Sequence, residues 1–107
     1  MIRKLLGFSK TLLRARADQL DHPYKLFFVL TKSCQSRCQN CKIWREVPEG
    51  ELTLDEITQF AKKNSYFRWI NLTGGEITLR DDIDQVIDTL VQNSPNLLFL
   101  NFAVNGL

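Results

Sequence analysis

Alternating stretches of helical and strand-like hydrophobic pattern run along the chain. Residues 2–16 place apolar side chains at helical spacing, which predicts an amphipathic helix. Three short apolar runs rich in β-forming residues predict strands, at residues 25–31, 68–73 and 97–104. The first run is continuous and predicts a strand that is buried on both faces. A long polar loop, residues 32–50, separates this strand from the next helix.

Two further helices are predicted between the strands. Thr53 and Glu56 have the spacing of a capping box, so the first of these helices should begin there and end at Asn64. The second begins near Asp81 and is stopped by Pro95. Strands that alternate with helices indicate an α/β fold with parallel strands and right-handed crossovers.

Polar side chains gather towards the carboxyl ends of the predicted strands. One face of the second and third strands carries five of these small or polar residues, Asn71, Thr73, Asn101, Ala103 and Asn105. Parallel α/β sheets place their ligand sites at this end, so the face predicts the wall of a ligand cavity. The alternative is that these residues only satisfy the backbone at the strand ends.

Composition narrows the classes of protein. The chain has 107 residues, of which 44% are hydrophobic and 24% charged, with a net charge of +2. These values predict one small globular domain, or part of one, rather than disorder. No apolar run is long enough for a membrane-spanning helix. Lys10 and Arg14 interrupt the apolar core that a secretory signal needs, so the expected location is the cytoplasm, where thiols stay reduced.

The first sixteen residues are strongly basic. They contain five cationic side chains and no acidic one. Such a segment is compatible with nucleic acid, anionic lipid or an acidic partner, or with a helix face that is simply solvated.

All three cysteines of the chain lie within eight residues of the polar loop, as Cys34, Cys38 and Cys41. Three thiolates at this spacing can hold one inorganic centre. A four-iron cubane usually takes four cysteines, so three would leave one iron open to a small molecule. A Cys3His zinc site would need His22, which precedes a seven-residue strand that spans about 20 Å. The predicted geometry therefore disfavours zinc.

Three sequence segments resemble motifs of the radical S-adenosylmethionine (radical SAM) family. TKSCQSRCQNCKIW resembles its cluster loop, LTGGEITLR its GGE motif, and Val104-Asn105-Gly106 the end of its third strand. The motifs follow the three predicted strands in order, and the resemblance covers residues 25–107. The chain departs from the family at Asn40, where an aromatic residue is common, and at Ile77, where proline is common.

The resemblance implies a partial (β/α) barrel of about three parallel strands with flanking helices. Residues 1–22 precede the resemblance, and their own pattern predicts a basic amphipathic N-terminal helix. Residues 23–107 would form the N-terminal half of a radical SAM core domain, truncated to about three of its six βα units. A partner chain would then complete the barrel or cover the exposed sheet edge.

The resemblance also implies the cofactors and their contacts. The three cysteines would hold a [4Fe-4S] cluster whose open iron chelates S-adenosylmethionine (SAM). Gly74 and Gly75 would allow close approach of its methionine part, Glu76 would accept a hydrogen bond from its ammonium group, and Asn105 would be a further contact.

The implied activity is reductive cleavage of SAM to a 5′-deoxyadenosyl radical, which abstracts hydrogen from a substrate that the sequence does not identify. The electron would come from a reductant such as flavodoxin or ferredoxin. Two alternatives stay open: a non-catalytic iron–sulfur or zinc-binding module, and an interaction protein whose basic helix binds membrane or nucleic acid.

Overall fold

A computed structural model describes residues 1–45 and 50–104, apart from the side chain of Trp44. The chain begins with helix α1 (Ile2–Arg16) and continues with alternating strands and helices. These are β1 (Lys25–Thr31), α2 (Leu54–Lys63), β2 (Trp69–Gly74), α3 (Ile83–Gln92) and β3 (Phe99–Phe102). Short 3-10 turns occupy Ile43–Arg45 and Ile77–Leu79.

The three strands form one parallel sheet in the order β1-β2-β3. Lys25 is opposite Trp69, and Trp69 is opposite Phe99, so the amino ends of all three strands are level. The prediction of an α/β fold with three parallel strands is therefore confirmed. β3 is shorter than the predicted run of residues 97–104.

Helices α2 and α3 cover one face of this sheet. Alternate strand residues, among them Leu30, Ile70 and Leu72, are fully buried on that face. They belong to one apolar cluster with Ile57 of α2 and Val86 of α3. The burial follows from the period-two alternation of strand side chains and the helical spacing of the covering residues.

The opposite face of the sheet is open in the described part of the chain. Phe27 is 62% exposed, and Val29 is exposed as well. The prediction that β1 is buried on both faces is therefore wrong for these residues, because α2 and α3 cover the other face. Near the amino ends of the strands, the Lys25 ammonium lies 3.7 Å from the centre of a Trp69 ring. This cation–π contact covers part of the open face.

Helix α2 begins as the capping box predicts. The Thr53 hydroxyl accepts a hydrogen bond from the Glu56 amide at 3.2 Å, and the Glu56 carboxylate accepts one from the Thr53 amide at 3.1 Å. Helix α3 begins at Ile83, two residues later than expected. The residues before it are occupied by the 3-10 turn and by an ion pair between Arg80 and Asp82.

None of the helices in residues 1–45 and 50–104 has the length and apolar character needed to cross a bilayer.

Candidate cluster and cofactor site

Backbone hydrogen bonds join the cysteine loop directly to the Gly74-Gly75-Glu76 segment. The Gly75 amide donates to the Thr31 carbonyl at 2.8 Å, and the Glu76 amide donates to the Ser33 carbonyl at 2.8 Å. These bonds continue the pairing of β1 with β2 past the carboxyl ends of both strands. The residue just before Cys34 is thereby held against the GGE segment.

This pairing explains both glycines. Gly74 has a φ of +142°, which L-residues with a side chain rarely adopt, and a Cβ there would overlap the Thr31 carbonyl. A Cβ on Gly75 would overlap the Ser33 carbonyl and lie 3.0 Å from the Cβ of Cys34. The resemblance implies close approach of a ligand to these glycines. The structure adds a reason that it missed, because the chain's own cysteine loop already approaches them.

The three cysteines lie on this loop as thiols rather than disulfides. Cys34 is half-buried beside Gly75, whereas Cys38 and Cys41 are exposed. Three thiols of one loop suit the donor chemistry of an iron–sulfur cluster. Within residues 1–45 and 50–104, no three His, Cys, Asp or Glu side chains are gathered closely enough to hold a metal ion.

His22 lies at the other end of the sheet from these thiols. Its ring stacks on Tyr66 with a centroid distance of 4.3 Å, and Tyr66 precedes the amino end of β2. The cysteine loop follows the carboxyl end of β1. The placement of His22 at the opposite end of the sheet agrees with the sequence prediction and disfavours a Cys3His site.

Glu76 is buried, with 2% of its surface exposed. Its carboxylate accepts hydrogen bonds from the Thr78 hydroxyl at 2.8 Å and the Thr78 amide at 3.4 Å. It therefore caps the 3-10 turn Ile77–Leu79. This contact gives Glu76 a structural role that the sequence did not reveal.

A cavity of about 200 Å³ lies at the carboxyl ends of β2 and β3. Asn71, Thr73, Asn101 and Ala103 line it, together with the two glycines and other neighbouring residues. These four residues belong to the predicted cavity wall. The Asn101 side-chain oxygen accepts a hydrogen bond from the Trp69 indole at 2.7 Å. Asn105, the fifth residue of that prediction and a proposed SAM contact, lies outside the described residues.

An anchor that sequence reasoning missed holds the start of the cysteine loop. One Glu51 carboxylate oxygen accepts hydrogen bonds from the Thr31 hydroxyl and the Lys32 amide, each at 2.7 Å. The bond from the Lys32 amide, followed by that from Thr31, lowers the pKa of Glu51 below its ordinary value of 4.5. Nothing in the hydrophobic pattern distinguishes Glu51, because its partners come from a distant strand end.

Arg80 forms the second part of this anchor. Its guanidinium donates to the carbonyls of Leu30 and Leu52, both at 2.9 Å, and makes a two-pronged ion pair with Asp82. The bond from Arg80 lowers the pKa of the Asp82 carboxyl. Arg80 thus ties the end of β1 to the segment before α2. Arg80 is the last residue of the LTGGEITLR segment, and the sequence analysis gave it no role.

Comparison with known proteins gives three relatives that share part of this chain. It is 36% identical over 74 residues to GTP 3′,8-cyclase of Sulfurimonas denitrificans, covering 64% of this chain and 23% of that protein. It is 34% identical over 89 residues to GTP 3′,8-cyclase of Pasteurella multocida, covering 78% and 26% respectively. For a probable GTP 3′,8-cyclase of Thermococcus kodakarensis, the identity is 32% over 94 residues, with 83% and 30% covered.

These similarities support the resemblance to radical SAM proteins at the level of the superfamily. The chain spans between 23% and 30% of the length of the curated relatives it matches. No protein-family model matches the chain.

Replacing Gly74 should disrupt the junction between the cysteine loop and the GGE segment. We expect Gly74→Ala to lower the free energy of unfolding by at least about 2 kcal/mol, because it combines an unfavourable φ with overlap of the Thr31 carbonyl. Gly50→Ala is the matched control. Gly50 also has a positive φ, +65°, but a Cβ there would meet nothing within 4 Å. Equal losses in urea denaturation would contradict the close-approach argument.

The free energy of unfolding should fall in acid, partly because the Glu51 carboxylate becomes protonated. Its pKa is lowered in the folded state, so its stabilisation is complete above pH 4.5 and is lost as the pH falls through the folded pKa. We expect Glu51→Gln to cost about 1 kcal/mol at pH 7 and less in acid, so that the curves for variant and parent converge. Asp88→Asn, at an exposed carboxylate of α3, is the control. Parallel curves for Glu51→Gln and the parent across this range would contradict the role of the charge.

Proposed function

We propose that this chain forms the cluster-binding and SAM-binding part of a radical SAM enzyme. The observation that carries the proposal is the junction between the cysteine loop and the GGE segment, in which Gly75 lies against Cys34. The two motifs that such a site requires are adjacent at the carboxyl end of a parallel sheet. A cavity lined by Gly74 and Gly75 opens beside them.

Cys34, Cys38 and Cys41 are the proposed ligands of a [4Fe-4S] cluster. Three thiolates leave one iron for the amino and carboxylate groups of SAM. Once reduced by a donor, the bound cluster would supply one electron to SAM, giving methionine and a 5′-deoxyadenosyl radical for hydrogen abstraction. Gly74 and Gly75 line the cavity, and their backbone is the proposed surface on which the methionine part of SAM lies.

Glu76 is the proposed acceptor for the ammonium group of SAM, through a charge-assisted hydrogen bond. Its carboxylate already accepts from Thr78, but a carboxylate has about four lone-pair sites and can accept more than one donor. The bond to Thr78 would then orient the carboxylate for the ligand. Asn105 remains a proposed further contact with SAM.

We infer that the electron donor is an acidic carrier such as flavodoxin or ferredoxin. Lys32, Arg37 and Lys42 are exposed cations on the cysteine loop, and they would attract such a carrier. The electron would be supplied where thiols are kept reduced, as in a cytoplasm.

The open face of the sheet supports a larger assembly. Phe27 and Val29 are apolar and exposed there, on the side that faces the interior in a closed barrel. Additional strands, from a partner chain or from further sequence, would cover this face and complete a substrate cavity. The names of the relatives make GTP the first substrate to test.

The cluster proposal can be tested by anaerobic reconstitution with iron and sulfide. We expect about four irons per chain and a brown protein. After reduction of the cluster by one electron, its electron paramagnetic resonance spectrum should change when SAM is added. Cys38→Ala should lose the cluster because one of three ligands is removed. Gln39→Ala, an exposed neighbour on the same loop, should retain it.

Two outcomes separate the proposal from its alternatives. A colourless chain that binds one zinc ion instead would refute the cluster assignment. A complete cluster that releases no 5′-deoxyadenosine from SAM, under strong reductant, would favour a non-catalytic iron–sulfur module.

The role of Glu76 is tested by comparing two substitutions. We expect Glu76→Gln to weaken SAM binding at least about tenfold while it largely preserves the cap on Thr78, because the amide oxygen still accepts but carries no charge. Glu76→Ala should weaken SAM binding and also lower stability by about 1 kcal/mol. Thr78→Val is the control for loss of the hydroxyl partner alone. Unchanged SAM affinity in Glu76→Gln, measured by calorimetry, would remove the proposed contact.

A further inference from the structure

Helix α1 presents its large aliphatic side chains to solvent. Ile2, Leu6 and Leu13 are 75%, 60% and 68% exposed. They are spaced by four and seven residues, so they lie along one stripe of the helix. Leu5 and Leu12 are exposed beside this stripe.

A different face of α1 packs on the rest of the chain. Phe8 makes edge-to-face contacts with Tyr24 and Phe99, at centroid distances of 6.0 and 5.9 Å. Gly7 lies against the Arg68 side chain, since a Cβ on it would be 2.7 Å from an Arg68 nitrogen. The helix is therefore anchored through Gly7 and Phe8, and the aliphatic stripe takes no part in that anchoring.

Cationic side chains flank the stripe. Arg3, Lys10 and Arg14 are exposed and repeat at the same spacing of seven and four residues, which places them on the adjacent face. No acidic residue occurs among residues 1–16. Arg14 makes an exposed ion pair with Asp21 at 3.0 Å, so Arg3 and Lys10 contribute more of the charge on this flank.

We propose that α1 binds the surface of an anionic lipid bilayer. A helix that lies in the membrane interface needs an apolar stripe to insert among the acyl chains and cations beside it for the headgroups. Nucleic acid would account for the cations but not for three exposed aliphatic side chains in one line. The charge and the apolar stripe together therefore favour lipid.

The position of α1 in the fold is compatible with this binding. Its contacts Tyr24 and Phe99 lie at the amino ends of β1 and β3, whereas the cysteine loop follows the carboxyl end of β1. A bilayer at α1 would leave the cysteine loop on the side facing water. The proposal goes beyond the cluster function and does not depend on it.

Vesicle sedimentation with the full chain tests the proposal. We expect partitioning onto vesicles of phosphatidylcholine mixed with phosphatidylglycerol, and much weaker partitioning onto phosphatidylcholine alone. The double substitution Leu6→Gln/Leu13→Gln should lower the partition coefficient at least about tenfold on both. Arg3→Gln/Lys10→Gln should lower it about fivefold per cation on the anionic vesicles only.

Matched variants on other helices serve as controls. Val91→Gln removes an exposed apolar side chain from α3, and Lys62→Gln/Lys63→Gln removes two cations from α2. Both should bind vesicles as the parent does. An equal loss in these controls, or no binding by the parent, would overturn the proposal. Binding of nucleic acid without binding of vesicles would also overturn it. So would a parent that does not bind vesicles but forms a dimer, if Leu6→Gln/Leu13→Gln dissociates that dimer.

Discussion

The site depends on the two backbone hydrogen bonds that join the GGE segment to the start of the cysteine loop. The Gly75 and Glu76 amides donate to Thr31 and Ser33, which extends a parallel pairing beyond the regular strands. At this separation there is no room for a Cβ on either glycine. The loop that carries the thiols therefore begins from a fixed point, although Cys38 and Cys41 further along it are exposed.

Side chains reinforce the same junction from the other side. The Glu51 carboxylate holds Thr31 and the Lys32 amide, and the Arg80 guanidinium holds the Leu30 carbonyl. Arg80 in turn is neutralised by Asp82 just before α3. The carboxyl end of β1 is thus bound by backbone on one side and by charged groups on the other, which restricts how the cysteine loop can leave the sheet.

The sequence predicted those features of the fold that depend on residues close together in the chain. β1 has the bounds that its apolar run predicts, and the box of Thr53 and Glu56 starts α2, because both arise from short-range spacing. Tertiary contacts were not predictable in the same way. The exposure of Phe27 depends on which face the helices cover, and the roles of Glu51 and Arg80 depend on partners from distant segments.

The candidate site likewise has parts that the sequence predicted and parts that it did not. The cysteine spacing and the GGE motif could be read from the chain, and so could the polar face with Asn71 and Asn101 that lines the cavity. The capping of the 3-10 turn by Glu76 could not, because it requires Thr78 to fold back onto the carboxylate. The sequence also did not show why glycine is needed at positions 74 and 75, because that need arises from the close approach of the cysteine loop.

The bond between Trp69 and Asn101 sets the hydrogen-bonding polarity of the cavity wall. An indole nitrogen can only donate, so the Asn101 side chain must turn its oxygen towards Trp69. The amide nitrogen of Asn101 is then a donor for an occupant of the cavity. At this position the wall can therefore donate a hydrogen bond to an acceptor, such as a carbonyl, carboxylate or phosphate oxygen, while the second lone pair of the Asn101 oxygen can still accept one.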